Sequence, residues 1–303
     1  MRRIYILLCA LIATACSAPE QEASNGRIKI VATTGMVADL ARNIGGDRVE
    51  VIGLMGPGVD PHYYKASQGD LARITDADIV LFNGLFLEGK MEDIFAKMAR
   101  SKKVVAVAGG IDEKNLRRPP EFLGHFDPHI WFDVSLWAQT VEVAVASLSE
   151  LDPEGAEVYR RNGEQYRARL DALHQWVIEQ VGQISEQQRV LITAHDAFGY
   201  FGLAYGFEVV GLQGISTVAE YGVNDVTQLV DRIVERQVKA IFVESSVPVR
   251  SIEAVRQGCL NRGFEVVIGG TLYSDAMGGA GSGADSYVGM VESNVNTIVG
   301  ALR

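Results

Sequence analysis

Residues 153–184, PEGAEVYRRNGEQYRARLDALHQWVIEQVGQI, place Tyr159, Tyr166, Leu170, Leu173, Val177, Val181 and Ile184 at spacings of 7, 4, 3, 4, 4 and 3. Those steps keep returning to one face of a 3.6-residue turn, so the stretch is one long helix with an apolar stripe and with Arg and Glu on its other faces. Asp152 before Pro153 supplies an N-cap and a first helical position that needs no N–H. A second helical stretch lies before that break, and no strand pattern interrupts the chain between Asp133 and Gln183.

On either side the pattern changes. Short β-branched runs at Ile28–Thr33, Val49–Leu54, Asp78–Phe82 and Lys103–Val107 alternate with helical patterns near 36–45, 67–76 and 91–100. After the long helix the alternation resumes, with strands at Arg189–Thr193, Glu208–Gly211, Lys239–Val243 and Glu265–Ile268 and a last helix from about Ser286 to Leu302. Strand, helix, strand in this rhythm means right-handed βαβ units and mainly parallel sheets. The expected fold is α/β: two βα lobes, at 27–152 and 185–303, joined by one long rigid helix over 153–184. A chain of 303 residues with 48% hydrophobic and 22% charged residues has enough apolar side chains for a core in each lobe.

The first residues read as an export signal over 1–15: charges at Arg2 and Arg3, an apolar run from Ile4 to Ile12, and the small-residue exit Ala13-Thr14-Ala15 before Cys16. The run is too short for a bilayer, which takes about 20 residues. Cys16 at that exit resembles the lipidated cysteine of a lipobox, although Ala13 stands where lipoboxes usually carry Leu; without lipid the product would be soluble in the periplasm. Residues 16–26 then form a polar, flexible tether on the cell surface or in the periplasm. Cys9, Cys16 and Cys259 leave no disulfide framework despite the exported context. With 28 Lys and Arg against 38 Asp and Glu, a net charge of −10 excludes nucleic acid as a partner and favours cations.

Only five histidines occur, and His62, His129 and His195 are expected at the carboxyl ends of strands, where open α/β sheets bind ligands. His62 and His129 each end an Asp-Pro-His tripeptide, in which proline restrains the backbone around the imidazole. Imidazoles suit Zn, Cu, Fe and Ni, and an added anionic oxygen widens the choice toward Mn. Asp275, a short loop after the strand at Val266–Ile268, is the expected fourth ligand; Asp196 is expected to cap the helix that follows His195.

Val59-Asp60-Pro61-His62-Tyr63-Tyr64, Asp127-Pro128-His129-Ile130-Trp131-Phe132-Asp133, His195-Asp196-Ala197-Phe198-Gly199-Tyr200-Phe201 and Ser274-Asp275-Ala276-Met277-Gly278 resemble the metal-binding solute-binding lipoproteins that feed ABC transporters for zinc, manganese or iron. The tail Tyr287-Val288-Gly289-Met290 with Asn294 is a further match, so the resemblance runs from about Ile28 to the C-terminus. It is strongest to the TroA-like branch, and it implies His62 and His129 from the first lobe, His195 and Asp275 from the second, and one divalent ion between them. It also implies a permease partner, a lipid anchor and a monomeric chain. Manganese-specialised relatives often carry Glu where His195 stands, and zinc-specialised ones often have a His-rich loop where Gly109–Gly124 holds no His. The resemblance therefore leaves zinc and manganese, with iron as a further cargo.

Ligands split between lobes make the ion a bridge, and a long connecting helix resists wide hinge opening, which leaves the Gly-rich loop 278–283 as the expected moving part. Two other classes fit the same export signal. An exported zinc hydrolase would need three ligands and an open water position, and the chain carries no His-Glu-x-x-His or Gly-x-Ser-x-Gly motif. A lipoprotein adhesin would bind a host partner without these histidines. His125 is expected on a loop at the site mouth, His174 on the solvent side of the long helix, Trp131 and Trp137 in the packing, and Cys259 as a small buried apolar residue.

Overall fold

The computed structural model describes residues 26–122 and 124–303. The signal segment and Cys16 lie outside the described residues. The first lobe runs β1 (Ile28–Ala32), α1 (Gly35–Gly45), β2 (Val49–Gly53), α2 (Gln68–Asp76), β3 (Ile79–Phe82), α3 (Glu92–Met98) and β4 (Lys103–Ala106). Its sheet has the order β2-β1-β3-β4, with every pair parallel. Then come α4 (Val134–Trp137), α5 (Thr140–Leu151) and the long α6 (Ala156–Val181). The second lobe follows as β5 (Val190–His195), α7 (Gly199–Tyr205), β6 (Glu208–Gln213), α8 (Val223–Arg236), β7 (Ala240–Glu244), α9 (Arg250–Asn261), β8 (Val267–Leu272) and α10 (Tyr287–Leu302). Here β5 pairs with β6 and β7 with β8, two parallel pairs, and β5 lies beside β7, so the four strands form one layer, the second sheet of the molecule.

The long helix starts as its sequence dictates. Asp152 accepts the Gly155 N–H with its side chain, Pro153 takes the first position, and one 3₁₀ turn over Pro153–Gly155 leads into α6. At 1.5 Å per residue its 26 residues extend about 39 Å. The seven-residue step from Tyr159 to Tyr166 contains Gly163, which is buried on the same stripe. A Cβ there would stand 2.6 Å from Val145, so this glycine sets how closely α5 can lie on α6.

Each sheet is covered on both faces, as parallel sheets require. The inner faces share one core with α1, α5, α6 and α10, from Ile30 and Leu81 in the first sheet through Tyr166, Leu170 and Val177 of α6 to Phe242 and Leu272 in the second. Outside the first sheet, Val31 and Val80 pack with Ile74 of α2 and Phe95 of α3. Outside the second, Ile192 and Ile241 pack with Ile233 of α8 and Val255 of α9. Among the described residues no helix is long and apolar enough to cross a membrane.

All four second-lobe strands end later than their sequence patterns suggest: β5 continues through His195, β6 through Gln213 and β7 through Glu244, and β8 occupies Val267–Leu272 rather than Glu265–Ile268. Gly269 and Gly270 hid the shift of β8, because glycine lowers strand propensity. Packing explains the first of them: a Cβ on Gly269 would come within 2.7 Å of Ala301 on α10 and 2.8 Å of Phe242 on β7.

Candidate metal centre

Four side chains from four separate segments converge where the two sheets end. His62 lies in the turn after β2, and its backbone N–H donates to Asp60 Oδ1 at 2.9 Å. His195 is the last residue of β5; its backbone N–H donates at 2.9 Å to Glu244 Oε1 at the end of β7. Asp275 follows β8 by three residues, and the neighbouring Ser274 carbonyl accepts Trp131 Nε1–H from the first lobe at 2.9 Å.

His129 departs from the expected strand end. It opens a 3₁₀ turn over Ile130–Phe132, well beyond β4, and is held by side chains instead. Asp127 Oδ1 accepts its backbone N–H at 3.0 Å and meets its Nδ1 at 2.7 Å. Asn83, just after β3, donates to the Pro128 carbonyl at 3.0 Å and ties the loop to the sheet. The aspartate thus holds the His129 imidazole directly, beyond any restraint from the proline.

One ligand atom from each of His62, His129, His195 and Asp275 lies within 4.8 Å of all the others, and all four residues are buried. The Nε2 atoms of His62, His129 and His195 stand 3.7, 3.4 and 3.2 Å from the Asp275 carboxylate oxygens. His62 and His129 bring their Nε2 atoms to 3.3 Å of each other. Behind them, Asp127 receives Nδ1 of His129, and Glu244 Oε2 lies 2.6 Å from Nδ1 of His195, off the hydrogen-bond axis. A carboxylate behind an imidazole orients the other ring nitrogen and raises its basicity, which is the usual support of a metal-binding histidine.

The electrostatics point the same way. Burial pushes His62 down to about 3, against the pull of Asp275. Burial also opposes charge on His129 and His195, but Asp127 and Asp275 lift His129 to about 9, while Glu244 and Asp275 hold His195 well above the usual imidazole range. Burial disfavours the Asp275 anion too, yet His195 and His129 keep its carboxyl well below its ordinary value. The centre therefore concentrates negative potential at a point faced by nitrogen donors, where protons and a dication compete for the same lone pairs. His195 Nε2 and both Asp275 oxygens are buried without a hydrogen-bond partner among the described residues. Such groups are costly in a core unless something positive meets them, and three nitrogens with one carboxylate fit a first-row transition metal.

A groove of about 480 Å³ opens beside His62, lined by Phe86, Phe122, Ile215 and Val218 from both lobes. His125 sits exposed at this mouth with its ring stacked on Phe86 at 4.4 Å. Trp131 and Trp137 are fully buried, and Cys259 is buried in α9, as their sequence contexts suggest. His174 is not solvent-facing: it is half-buried, with Nδ1 3.0 Å from the Tyr205 hydroxyl. Asp196 does not cap α7, which begins after Phe198 without a side-chain cap; its carboxylate lies 3.8 Å from Arg117 instead. The Gly-rich loop after Asp275 is closed by its own hydrogen bonds, Gly278 N–H to the Ala284 carbonyl at 2.8 Å and Gly281 N–H to Asp285 at 2.9 Å. Sequence reading missed the supporting carboxylates. Asp127 had a signal, its place in a repeated tripeptide, and Glu244 a weaker one, a lone acid ending the apolar run Ala240–Val243.

A family model described as "Zinc-uptake complex component A periplasmic" matches residues 30–301. The chain is 47% identical over 299 residues to the manganese-binding lipoprotein MntA of Bacillus subtilis, covering 98% of this chain and 97% of that protein. It is 46% identical over 280 residues to the zinc-binding protein TroA of Treponema pallidum, covering 92% and 90%. The solved structure of the periplasmic zinc-binding TroA from Treponema pallidum superposes with a TM-score of 0.89, covering 91% of this chain and 99% of that one. With nearly the whole chain matched in sequence and in fold, it belongs to the zinc-uptake component A family, the metal-binding solute-binding proteins of ABC transporters.

Proposed function

We propose that the chain captures one divalent transition metal ion outside the cytoplasm through His62, His129, His195 and Asp275 and delivers it to an ABC transporter permease. The observation that carries this reading is the convergence of these four buried ligand atoms, two from each side of the long helix, within 4.8 Å. Zinc and manganese are the proposed cargoes, with iron as a further one. Two relatives of nearly equal identity are named for different metals, at 47% for manganese and 46% for zinc. Affinity at such a site follows the general order in which zinc exceeds manganese, so the load depends on the supply of each ion as well as on the site. The proposed division is a signal over 1–15, lipid on Cys16 with a tether over 16–26, lobes over 27–152 and 185–303, and the linking helix over 153–184.

Mechanism follows from the geometry. Asp127 and Glu244 hold two imidazoles with Nε2 toward the ion, so their orientation is set before binding. The ion enters past His62, which lines the groove between the lobes. Once bound it links the first-lobe histidines to His195 and Asp275, so release requires those pairs to separate. Isothermal titration of the chain lacking residues 1–16 with Zn and Mn, with X-ray absorption for coordination number, tests this. One tightly held ion with four or more protein ligands, lost in His129→Ala and in Asp275→Ala, is the expected result. A chain that stays metal-free in excess Zn and Mn, or holds its ion with Asp275 outside the coordination sphere, overturns it.

A further inference from the structure

Arg117 belongs to the segment between β4 and His129 and carries no role in the ligand set. Its guanidinium contacts Asp127 Oδ2, while Asp127 Oδ1 holds the backbone and ring of His129. Its backbone carbonyl accepts Asp127 N–H at 2.9 Å, and its own N–H donates to the Tyr200 hydroxyl at 3.0 Å. That hydroxyl donates in turn to the Asp127 carbonyl at 3.0 Å. Tyr200 lies on α7 of the second lobe, five residues after His195. The guanidinium also stands over the Tyr200 ring at 5.8 Å and has Nη2 3.8 Å from Asp196, the neighbour of His195. Gly199 makes the arrangement possible, because a Cβ at that position would occupy the space of Arg117 Nη1.

We propose that Arg117 is a positioning residue for the metal centre, fastening the carboxylate behind His129 to the helix that follows His195 and so fixing the relative placement of ligands from opposite lobes. This rests on the ligand set proposed above. Asp127 is fully buried, with Oδ1 committed to the His129 backbone and ring and Oδ2 to Arg117. Without Arg117 the second oxygen loses its cation, and the carboxylate no longer has a fixed direction in which to hold the His129 Nδ1–H.

The test compares the wild-type chain with Arg117→Met, Arg117→Lys and Gly199→Ala. Zn dissociation constants come from competition with a chromophoric chelator, the visible spectrum of bound Co(II) reports ligand geometry, and melting of the metal-free protein reports general stability. Arg117→Met and Gly199→Ala are expected to weaken Zn binding about 10- to 100-fold and to alter the Co(II) bands, the scale usual for supports behind a ligand. Arg117→Lys, which keeps the charge but not the fork, is expected to fall between and serves as the deciding variant if the other two do not fold. Wild-type affinity and spectrum in the folded variants overturn the proposal, as does weaker binding that tracks lost stability with an unchanged Co(II) spectrum. A wild-type chain that holds neither Zn nor Co(II) overturns the ligand assignment itself, and this proposal with it.

Discussion

Asp60 of the first lobe accepts the Thr217 hydroxyl of the second at 2.6 Å with Oδ2, while its Oδ1 accepts the His62 N–H at 2.9 Å. One carboxylate thus joins the turn that carries His62, a proposed ligand, to the opposite lobe. A hydrogen bond to a charged acceptor is worth about 1.5–3 kcal/mol. Thr217→Val keeps the shape and removes the donor. It is expected to speed ion dissociation about tenfold or more, measured by stopped-flow mixing of the loaded protein with a chelator. A wild-type off-rate in this variant would show that the turn is held by other contacts.

Glu244 meets His195 from the end of β7 in two ways: Oε1 accepts the backbone N–H at 2.9 Å, and Oε2 lies 2.6 Å from Nδ1 as a charge contact off the hydrogen-bond axis. Glu244→Gln preserves volume and removes the charge behind the ring. If His195 binds the ion as proposed, Zn affinity is expected to drop about 10- to 100-fold, the scale usual for supports behind a metal-binding histidine. Titration calorimetry checks this, and an unchanged dissociation constant would refute the assigned role.

Glu88 is buried between the ends of β1 and β3, accepting the Thr33 hydroxyl at 2.6 Å, Asn83 N–H at 2.8 Å and Gly84 N–H at 3.3 Å. Burial raises its carboxyl to about 7, although those donors pull the other way. The folded state therefore binds this proton more tightly than the unfolded chain, and stability falls as pH rises from the unfolded value of 4.5 to about 7. Relative to Glu88→Gln, the wild-type chain is expected to lose about 3 kcal/mol across that window. Urea denaturation of both metal-free proteins at several pH values measures the difference, and parallel pH profiles would contradict it.

Gly211 on β6 lies against the backbone that carries His195. A Cβ there would clash with the Asp196 nitrogen and stand 2.5 Å from the His195 carbonyl carbon. Backbone cannot move aside as a side-chain tip can, so Gly211→Ala is expected to destabilise by about 2–3 kcal/mol, seen as a drop of about 5 °C in Tm. Gly109→Ala, with nothing within 4 Å of its Cβ, is the control and is expected to melt near the wild type.

The parts of the fold legible in the sequence are those in which one physical pattern dominates. The α6 stripe could be read because Tyr159 through Val181 all face one core, and the break at Asp152-Pro153 because capping chemistry is local. β8 was misplaced where Gly269 serves its packing against α10 rather than strand propensity. The four proposed ligand positions stood out because histidine is scarce and Asp-Pro-His occurs twice. Their supports did not, since Glu244 meets His195 only through the adjacency of β5 and β7, and Arg117 meets Tyr200 only once the lobes are folded together. Asp196 was assigned a local cap because the approach of Arg117, 79 residues earlier in sequence, leaves no mark beside it.

The inner faces of both sheets belong to one core with α6 and α10, while α2 with α3 and α8 with α9 each cover an outer face from a smaller cluster. Cooperative opening follows contiguous packing, so amide hydrogen exchange should divide the molecule by layer and not by lobe. The slowest amides will lie in α6 and in β1 and β5 together, at the free energy of global unfolding, and the outer helix pairs will exchange through cheaper, separate openings. Cutting the chain within α6 to obtain either lobe alone would divide that shared layer and leave each piece with an uncovered apolar face.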